Sequence, residues 1–429
     1  MTIVTDAKNG KITEEMKIVA KNEGKDPEFI RRGIAAGRIV IPMTPYRNIK
    51  LCGIGEGLRT KVNASIGASS DIIDEEMEVK KAKAAEAAGA DTLMELGTGG
   101  DFLKMRKLVC DAISLSVGSV PLYQAFITAA KRDGSIVHMT EDDLWYATEE
   151  QAKLGTNFMA IHTGINNIVL DRLKAHGRYG GLCSRGGAFM STWMLHNQKE
   201  NPLYKDFDYL CEILKEHEVT LSTGNGMRAG AVHDATDRAQ VQELIINSEC
   251  ADKAHDKYDL QVIVEGPGHV PLDQVEMNVK LMKAMSNGKP FYMLGPLVSD
   301  IGAGRDHIVT AIGAATSAAA GCDFLCYVTP AEHLALPNLQ DVIEGVKTSK
   351  IAAHVGDMVK YPETAREVDL AMGRTRAKLD WEGMYKLALD PELARSIRNS
   401  RAPGDEDACT MCGDFCALKI VNKNYDLCK

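Results

Sequence analysis

The chain has no uninterrupted apolar run long enough to cross a bilayer, and its first residues, Met1 to Lys8, lack the apolar core of a secretory signal. The most apolar stretch, Ile308 to Cys326, is broken by Thr310, Gly313, Thr316, Ser317, Gly321 and Asp323. It reads as a buried small-residue helix followed by a strand. No low-complexity segment and no block of like charge divides the chain. There is no excess of positive charge either, because 50 Lys and Arg stand against 59 Asp and Glu, a net charge of −9. That balance argues against nucleic acid or an anionic membrane as the main partner, while leaving room for a local basic pocket. With 45% apolar and 25% charged residues, the composition is that of an ordinary folded protein, which excludes disorder along the whole chain. Eleven cysteines without a signal segment predict reduced thiols in a cytoplasmic protein.

The 429 residues suit one large α/β domain with appendages. Nine short apolar or β-branched runs recur, most of them leading into an amphipathic or Ala-rich stretch. They are Lys61–Ile66, Asp91–Leu96, Val120–Ala125, Phe158–Thr163, Gly181–Ser184, Val219–Thr223, Gln261–Glu265, Pro290–Leu294 and Phe324–Val328. Strands alternating with helices predict a parallel sheet. Eight strands close a (β/α)8 barrel, so one of the nine is surplus. Polar residues end nearly every run, which favours a barrel mouth over the single switch point of an open sheet. Residues 1–50 read as an N-terminal helical arm, 51–355 as the barrel, and 356–429 as a C-terminal helical extension. A polar linker, Ser400 to Ala408, leads to a crowd of cysteines.

Cys409, Cys412 and Cys416 fall within eight residues. Three thiolates this close can hold a soft metal centre. A structural zinc needs a fourth ligand, for which Cys428 is one candidate. An iron–sulfur cube held by three cysteines leaves one iron open to S-adenosylmethionine, whose cleavage yields an adenosyl radical. A fortuitous cluster is the third reading. His269, in the segment Glu265-Gly-Pro-Gly-His269, and His333, in Thr329-Pro-Ala-Glu-His333, each follow a predicted strand. They are loop histidines or the two ligands of a divalent metal. Ser184-Arg185-Gly186-Gly187 and Asn225-Gly226-Met227-Arg228 combine glycine, polar groups and arginine where strands meet helices, a pattern that suits phosphate as well as tight turns. Tyr123 and His162 stand at strand ends as polar contacts or supports. Met94 and Met227 alone read as packing.

Together the segments EGPGHVP (265–271), LGPL-x-x-DI-x-x-G-x-DH (294–307), CYVTP-x-EHL-x-LP (326–337) and SRGG resemble one family along nearly the whole chain. It is the radical S-adenosylmethionine family that makes the phosphorylated thiamin pyrimidine, with a paralogous branch that makes 5-hydroxybenzimidazole for cobamides. The resemblance implies a (β/α)8 barrel with a C-terminal extension carrying a 4Fe–4S cluster. It also implies a homodimer, an electron-donor protein and 5-aminoimidazole ribotide as substrate. Cluster ligands are then Cys409, Cys412 and Cys416, acting in catalysis with Glu265. A second metal, zinc or iron, falls to His269 and His333. The implied substrate contacts are Ser65, Met94, Tyr123, His162, Ser184, Arg185, Gly186, Asn225, Gly226, Met227, Arg228, Glu265 and Tyr292.

Three departures stand out. Pro42-Met43-Thr44-Pro45-Tyr46 replaces the family's P-A-N-x-N-H. Ser65 replaces the Asn of N-A-N-I-G, and Asn225 replaces the Asp of D-G-L-R. Read as changes to the substrate wall, they favour the hydroxybenzimidazole branch, with the thiamin pyrimidine as the alternative product.

Overall fold

The computed structural model describes residues 2–401 and 408–425. It falls into two compact units, residues 1–356 and 357–429. In the first, eight parallel strands close on themselves in the order β10-β3-β4-β5-β6-β7-β8-β9, with helices around them. The strands are β3 (Lys61–Ile66), β4 (Thr92–Glu95), β5 (Ser116–Ser119), β6 (Phe158–Ile161), β7 (Thr220–Thr223), β8 (Val262–Gly266), β9 (Phe291–Leu294) and β10 (Phe324–Cys326). This is the expected (β/α)8 barrel. A separate ribbon pairs β1 (Ile39–Val40) with β2 (Ile54–Gly55) in antiparallel fashion.

Two of the nine expected runs are not barrel strands. Gly181–Ser184 makes only an isolated bridge, Leu182 to Ala229, and Ser184 caps the helix Arg185–Asn197 by accepting the Gly187 N–H at 3.1 Å. It is the surplus run. Val120–Ala125 lies one step too late. The strand is Ser116–Ser119, and Pro121 opens the helix Pro121–Asp133, where its missing N–H costs nothing. Tyr123 therefore reaches the mouth from a helix N-terminus, not from a strand.

The barrel interior is tightly filled. Phe158, Phe291 and Phe324 are fully buried, and the rings of Phe158 and Phe324 meet edge to face with centroids 6.2 Å apart. A Cβ at Gly118 would sit 2.4 Å from the Phe158 ring, so only glycine allows β5 to pass it. Helix ends follow their caps. Thr13 and Asp26 cap the helices Glu14–Glu23 and Pro27–Ala35, their side chains accepting the Met16 and Glu28 N–H groups.

The N-terminal arm forms its own core from Ile3, Met16, Val19, Ile30, Ile34, Ile39 and Leu58. It lies at the barrel floor, where strands begin. The Ile41 N–H donates to Gln261 Oε1 at 2.5 Å, one residue before β8. Arg47 donates to Asn157 Oδ1, just before β6, and to the carbonyls of Cys110 and Ile113, ahead of β5.

The second unit is helical, with Pro362–Ala377, Trp381–Leu387 and Pro391–Asn399, then Ala417–Asn424 beyond the cysteines. Most of the linker 400–408 and Cys428 lie outside the described residues. Among the described residues, no helix is long and apolar enough to cross a membrane.

Candidate active site

At the carboxyl ends of the strands, one cavity is lined by Ser65, Met94, Tyr123, His162, Ser184, Arg228, Glu265 and Tyr292, with Cys326 beside them. Strand geometry puts them there, because a barrel turns every strand's last residues toward one mouth. Eight of the thirteen expected substrate contacts thus meet in one place.

Tyr292 stacks on Phe324, with centroids 4.3 Å apart. Its hydroxyl accepts from Asn63 Nδ2 at 2.8 Å and donates to Met94 Sδ at 3.7 Å, so Met94 is a hydrogen-bond acceptor at the wall as well as packing. Ser65 Oγ lies 3.6 Å from Cys326 Sγ. Glu265 accepts Ser222 Oγ–H at 2.7 Å and the Asn225 N–H at 3.3 Å. Burial pushes the Glu265 carboxyl up, opposed by the Ser222 hydrogen bond and by Arg228.

Arg228 donates through Nε to Cys183 Sγ at 3.2 Å and through Nη2 to the Cys183 carbonyl at 3.5 Å. No carboxylate among the described residues lies within ion-pair distance of it. The cavity therefore holds a cation without an ion-pair partner among the described residues, suited to an anionic ligand group. Arg185 is exposed instead, its guanidinium 5.1 Å from the centre of the Tyr123 ring.

His162 is sandwiched between glycines. A Cβ at Gly186 would lie 2.3 Å from its ring, and one at Gly224 3.1 Å. Gly186 thus acts through His162 by giving it room. Nε2 of His162 meets Ser184 Oγ at 3.2 Å, and buried Nδ1 has no partner among the described residues. Burial, reinforced by Arg228, pushes this imidazole down to about 3. The unfolded chain, at an ordinary value near 6.5, binds the proton that the folded chain refuses. This contribution to stability is complete above pH 6.5 and is lost as pH falls from there toward 3, at ~1.4 kcal/mol per pH unit. His162 is expected to stay neutral in nitrogen NMR between pH 5 and 8, and His162→Gln to weaken the acid sensitivity of urea unfolding. An imidazolium signal above pH 5 would contradict this.

Asn225, Gly226 and Met227 stand behind the wall. Glu243, on the helix Arg238–Tyr258, accepts Asn225 Nδ2–H at 2.7 Å and the N–H groups of Gly226 and Met227 at 2.7 and 2.8 Å. Sequence reasoning missed Glu243. Its signal was an acidic residue on the buried stripe Ala239, Glu243, Ile246 and Cys250 of a helix. Glu95, a strand-end carboxylate, pairs with buried Arg106 at 2.7 Å and does not enter the cavity.

The rings of His269 and His333 lie 5.3 Å apart. His269 Nδ1–H donates to Asp300 Oδ1 at 2.8 Å, leaving Nε2 buried, unprotonated and without a partner among the described residues. A carboxylate behind the imidazole and a free lone pair in front is the donor arrangement of a metal-binding histidine. Cys409 accepts the N–H groups of Met411 and Cys412, which hold its thiol below the usual range. Among the described residues, no three His, Cys, Asp or Glu side chains converge on one ion. A cube does not need such convergence, because each thiolate binds a different iron.

The three departures now separate. Tyr46 Oη meets His217 Nδ1 at 2.7 Å on the floor, far along the strands from the mouth. The Asn225 amide faces Glu243, not the cavity. Only Ser65 changes the wall, so two of the three arguments for a different product do not hold.

The profile of the Radical SAM ThiC family matches residues 2–423. A protein of Methanosarcina barkeri named phosphomethylpyrimidine synthase 1 is 81% identical over 429 residues, all of both chains. A phosphomethylpyrimidine synthase of Methanospirillum hungatei is 69% identical, covering 99% of each chain, and one of Methanosphaerula palustris is 62% identical, covering 99% of this chain and 100% of its own. Among solved structures, a dihydropteroate synthase of Coxiella burnetii covers 72% of this chain and 96% of its own at 10% identity with a TM-score of 0.41, too remote to bear on function. The names of the near relatives overturn the hydroxybenzimidazole expectation and back its alternative. Matched by the profile almost from end to end, and this close to its relatives, the chain belongs to the Radical SAM ThiC family.

Proposed function

We propose that the chain is a phosphomethylpyrimidine synthase, which rearranges 5-aminoimidazole ribotide into the phosphorylated aminopyrimidine of thiamin. The observation that carries this reading is the cavity in which unpaired Arg228 meets Glu265, Tyr292 and His162, in a chain 81% identical to a protein of that name. Arg228 grips the ribotide phosphate, and Arg185 with Ser184 adds to it from the helix N-terminus. Glu265 accepts ribose hydroxyls or holds a proton, which its raised affinity favours. Tyr292, fixed by Asn63 and Phe324, and Tyr123 flank the imidazole. His162 is neutral and presents its free Nδ1 as a hydrogen-bonding group. Met94 and Ser65 shape the wall beside Cys326.

Cys409, Cys412 and Cys416 hold a 4Fe–4S cluster, as the local N–H donors to Cys409 support. When bound, that cluster and S-adenosylmethionine supply the one-electron chemistry that starts the reaction. His269 and His333 hold a divalent ion, zinc or iron, that anchors a polar group. An electron-donor protein reduces the cluster. The arm 1–50, the barrel 51–355 and the extension 356–429 act as floor, site and cluster carrier. A homodimer accounts for the apolar surface of Ile308, Ile312, Ile351 and Val355, each close to half exposed on outer helices. The free cysteines suit a cytoplasmic setting.

The test is the product. Anaerobically reconstituted protein with 5-aminoimidazole ribotide, S-adenosylmethionine and a reductant is expected to yield the phosphorylated pyrimidine. No conversion, or any other product, would sink the proposal.

A further inference from the structure

The turn Asn225 to Arg228 carries the cavity's unpaired cation, yet almost none of its own polar groups face the cavity. They face a carboxylate. Glu243 is fully buried, and its two oxygens take three donors from the three residues that precede Arg228. Oε1 accepts the Gly226 N–H, and Oε2 accepts the Met227 N–H and the Asn225 amide. Gly226 admits no side chain, since a Cβ there would sit 2.3 Å from Ile165 Cδ1 and 3.1 Å from Glu243 Oε1. The same turn is tied to the mouth through the Asn225 N–H to Glu265. Among the described residues, the head of the next residue, Arg228, is hydrogen-bonded to Cys183 alone.

We infer that Glu243 is a positioning residue: acting through Asn225, Gly226 and Met227, it fixes the turn that aims Arg228 at an anionic group of the substrate. This rests on the reading of the cavity as a ribotide-phosphate site. Burial pushes the Glu243 carboxyl up to about 8, opposed by the Met227 and Gly226 N–H groups, so what it offers the turn is a pair of acceptor oxygens. A buried carboxyl is costly unless its hydrogen bonds are met. Here it is retained where three donors of one turn converge, so its net effect is to immobilise that turn. A carboxamide cannot replace it. Whichever way a glutamine at 243 is turned, its NH2 opposes the N–H of Gly226 or of Met227.

The test uses the reconstituted holoenzyme and the variants Glu243→Gln and Asn225→Ala. Hydrogen exchange by mass spectrometry reads the turn without any ligand. Peptides spanning 225–228 are expected to exchange at least tenfold faster in Glu243→Gln, with strands β3 to β10 unchanged. Binding of ribose 5-phosphate is expected to weaken about tenfold, and binding of ribose to change less than twofold. KM for the ribotide is expected to rise about tenfold with kcat within threefold. The double variant is expected to be no worse than Glu243→Gln alone. Should Glu243→Gln not fold, Asn225→Ala is expected to give the same pattern at smaller size. Unchanged exchange and ribose 5-phosphate binding would overturn the inference, and so would equal losses for ribose and its phosphate. The proposed function fails separately. A wrong product from the wild type, with weakened phosphate binding in Glu243→Gln, would remove that function and keep the positioning role.

Discussion

With Cys409, Cys412 and Cys416 all replaced by serine, anaerobically prepared protein is expected to hold no iron or labile sulfide, to lack thiolate-to-iron absorption, and to show no turnover. A hydroxyl is a hard, protonated group at neutral pH, whereas iron–sulfur clusters are held by soft thiolates. The local backbone already favours the thiolate at Cys409, through the N–H groups of Met411 and Cys412 and a turn closed by the Gly413 N–H on the Cys409 carbonyl at 2.9 Å. Gly413 has a positive φ of 52°, which glycine adopts without strain, and this brings the chain round between the second and third cysteines. The barrel is expected to keep its unfolding midpoint, because its main hydrophobic core ends at Ala353. Iron and sulfide analysis, visible absorption and a turnover assay read all of this. Undiminished turnover in the triple variant would remove the cysteines from the mechanism, and wild-type protein holding one zinc and no iron would replace the cluster by a structural site.

Arg228→Met is expected to raise KM for the ribotide about 100-fold while leaving thermal stability equal or higher. Hydrogen bonds to a charged group contribute about 1.5–3 kcal/mol each, so losing a bidentate grip costs about 3 kcal/mol, near 10²-fold. The stability side follows from burial. Arg228 is half-buried with no ion-pair partner among the described residues, and its Nε donates to the Cys183 thiol at 3.2 Å. An apolar side chain of similar length removes that cost. Arg185→Met serves as the comparison. That side chain is exposed and rests over Tyr123, so its loss is expected to cost no more than about 1 kcal/mol. Equal KM in wild type and Arg228→Met, or a marked fall in melting temperature, would show that the guanidinium is structural.

The barrel was legible because its signal is repetition. Short apolar runs ending in polar residues each carry the same information, and one misplaced run does not disturb the rest. Val120–Ala125 failed because Pro121 opens a helix as readily as it ends a strand, and Gly181–Ser184 because a capped turn shares its glycine and hydroxyl with a strand end. Glu243 was illegible for another reason. On the buried stripe of a long helix, nothing local tells a carboxylate with partners from one awaiting a ligand, and its three partners come from a turn 16 to 18 residues earlier.

Residue types and their spacing were enough to establish the repeating strand–helix order, the three thiols in one short segment, and most of the side chains at the mouth. Direction was beyond them. Tyr46 points to the floor, the Asn225 amide points to Glu243, and Arg228 alone of its turn points into the cavity. A turn residue faces the side on which its hydrogen bonds are met, and those partners are supplied by elements brought together only when the barrel closes. That is why departures at 42–46 and 225 looked like changes of substrate and are, in the folded chain, changes of floor and support.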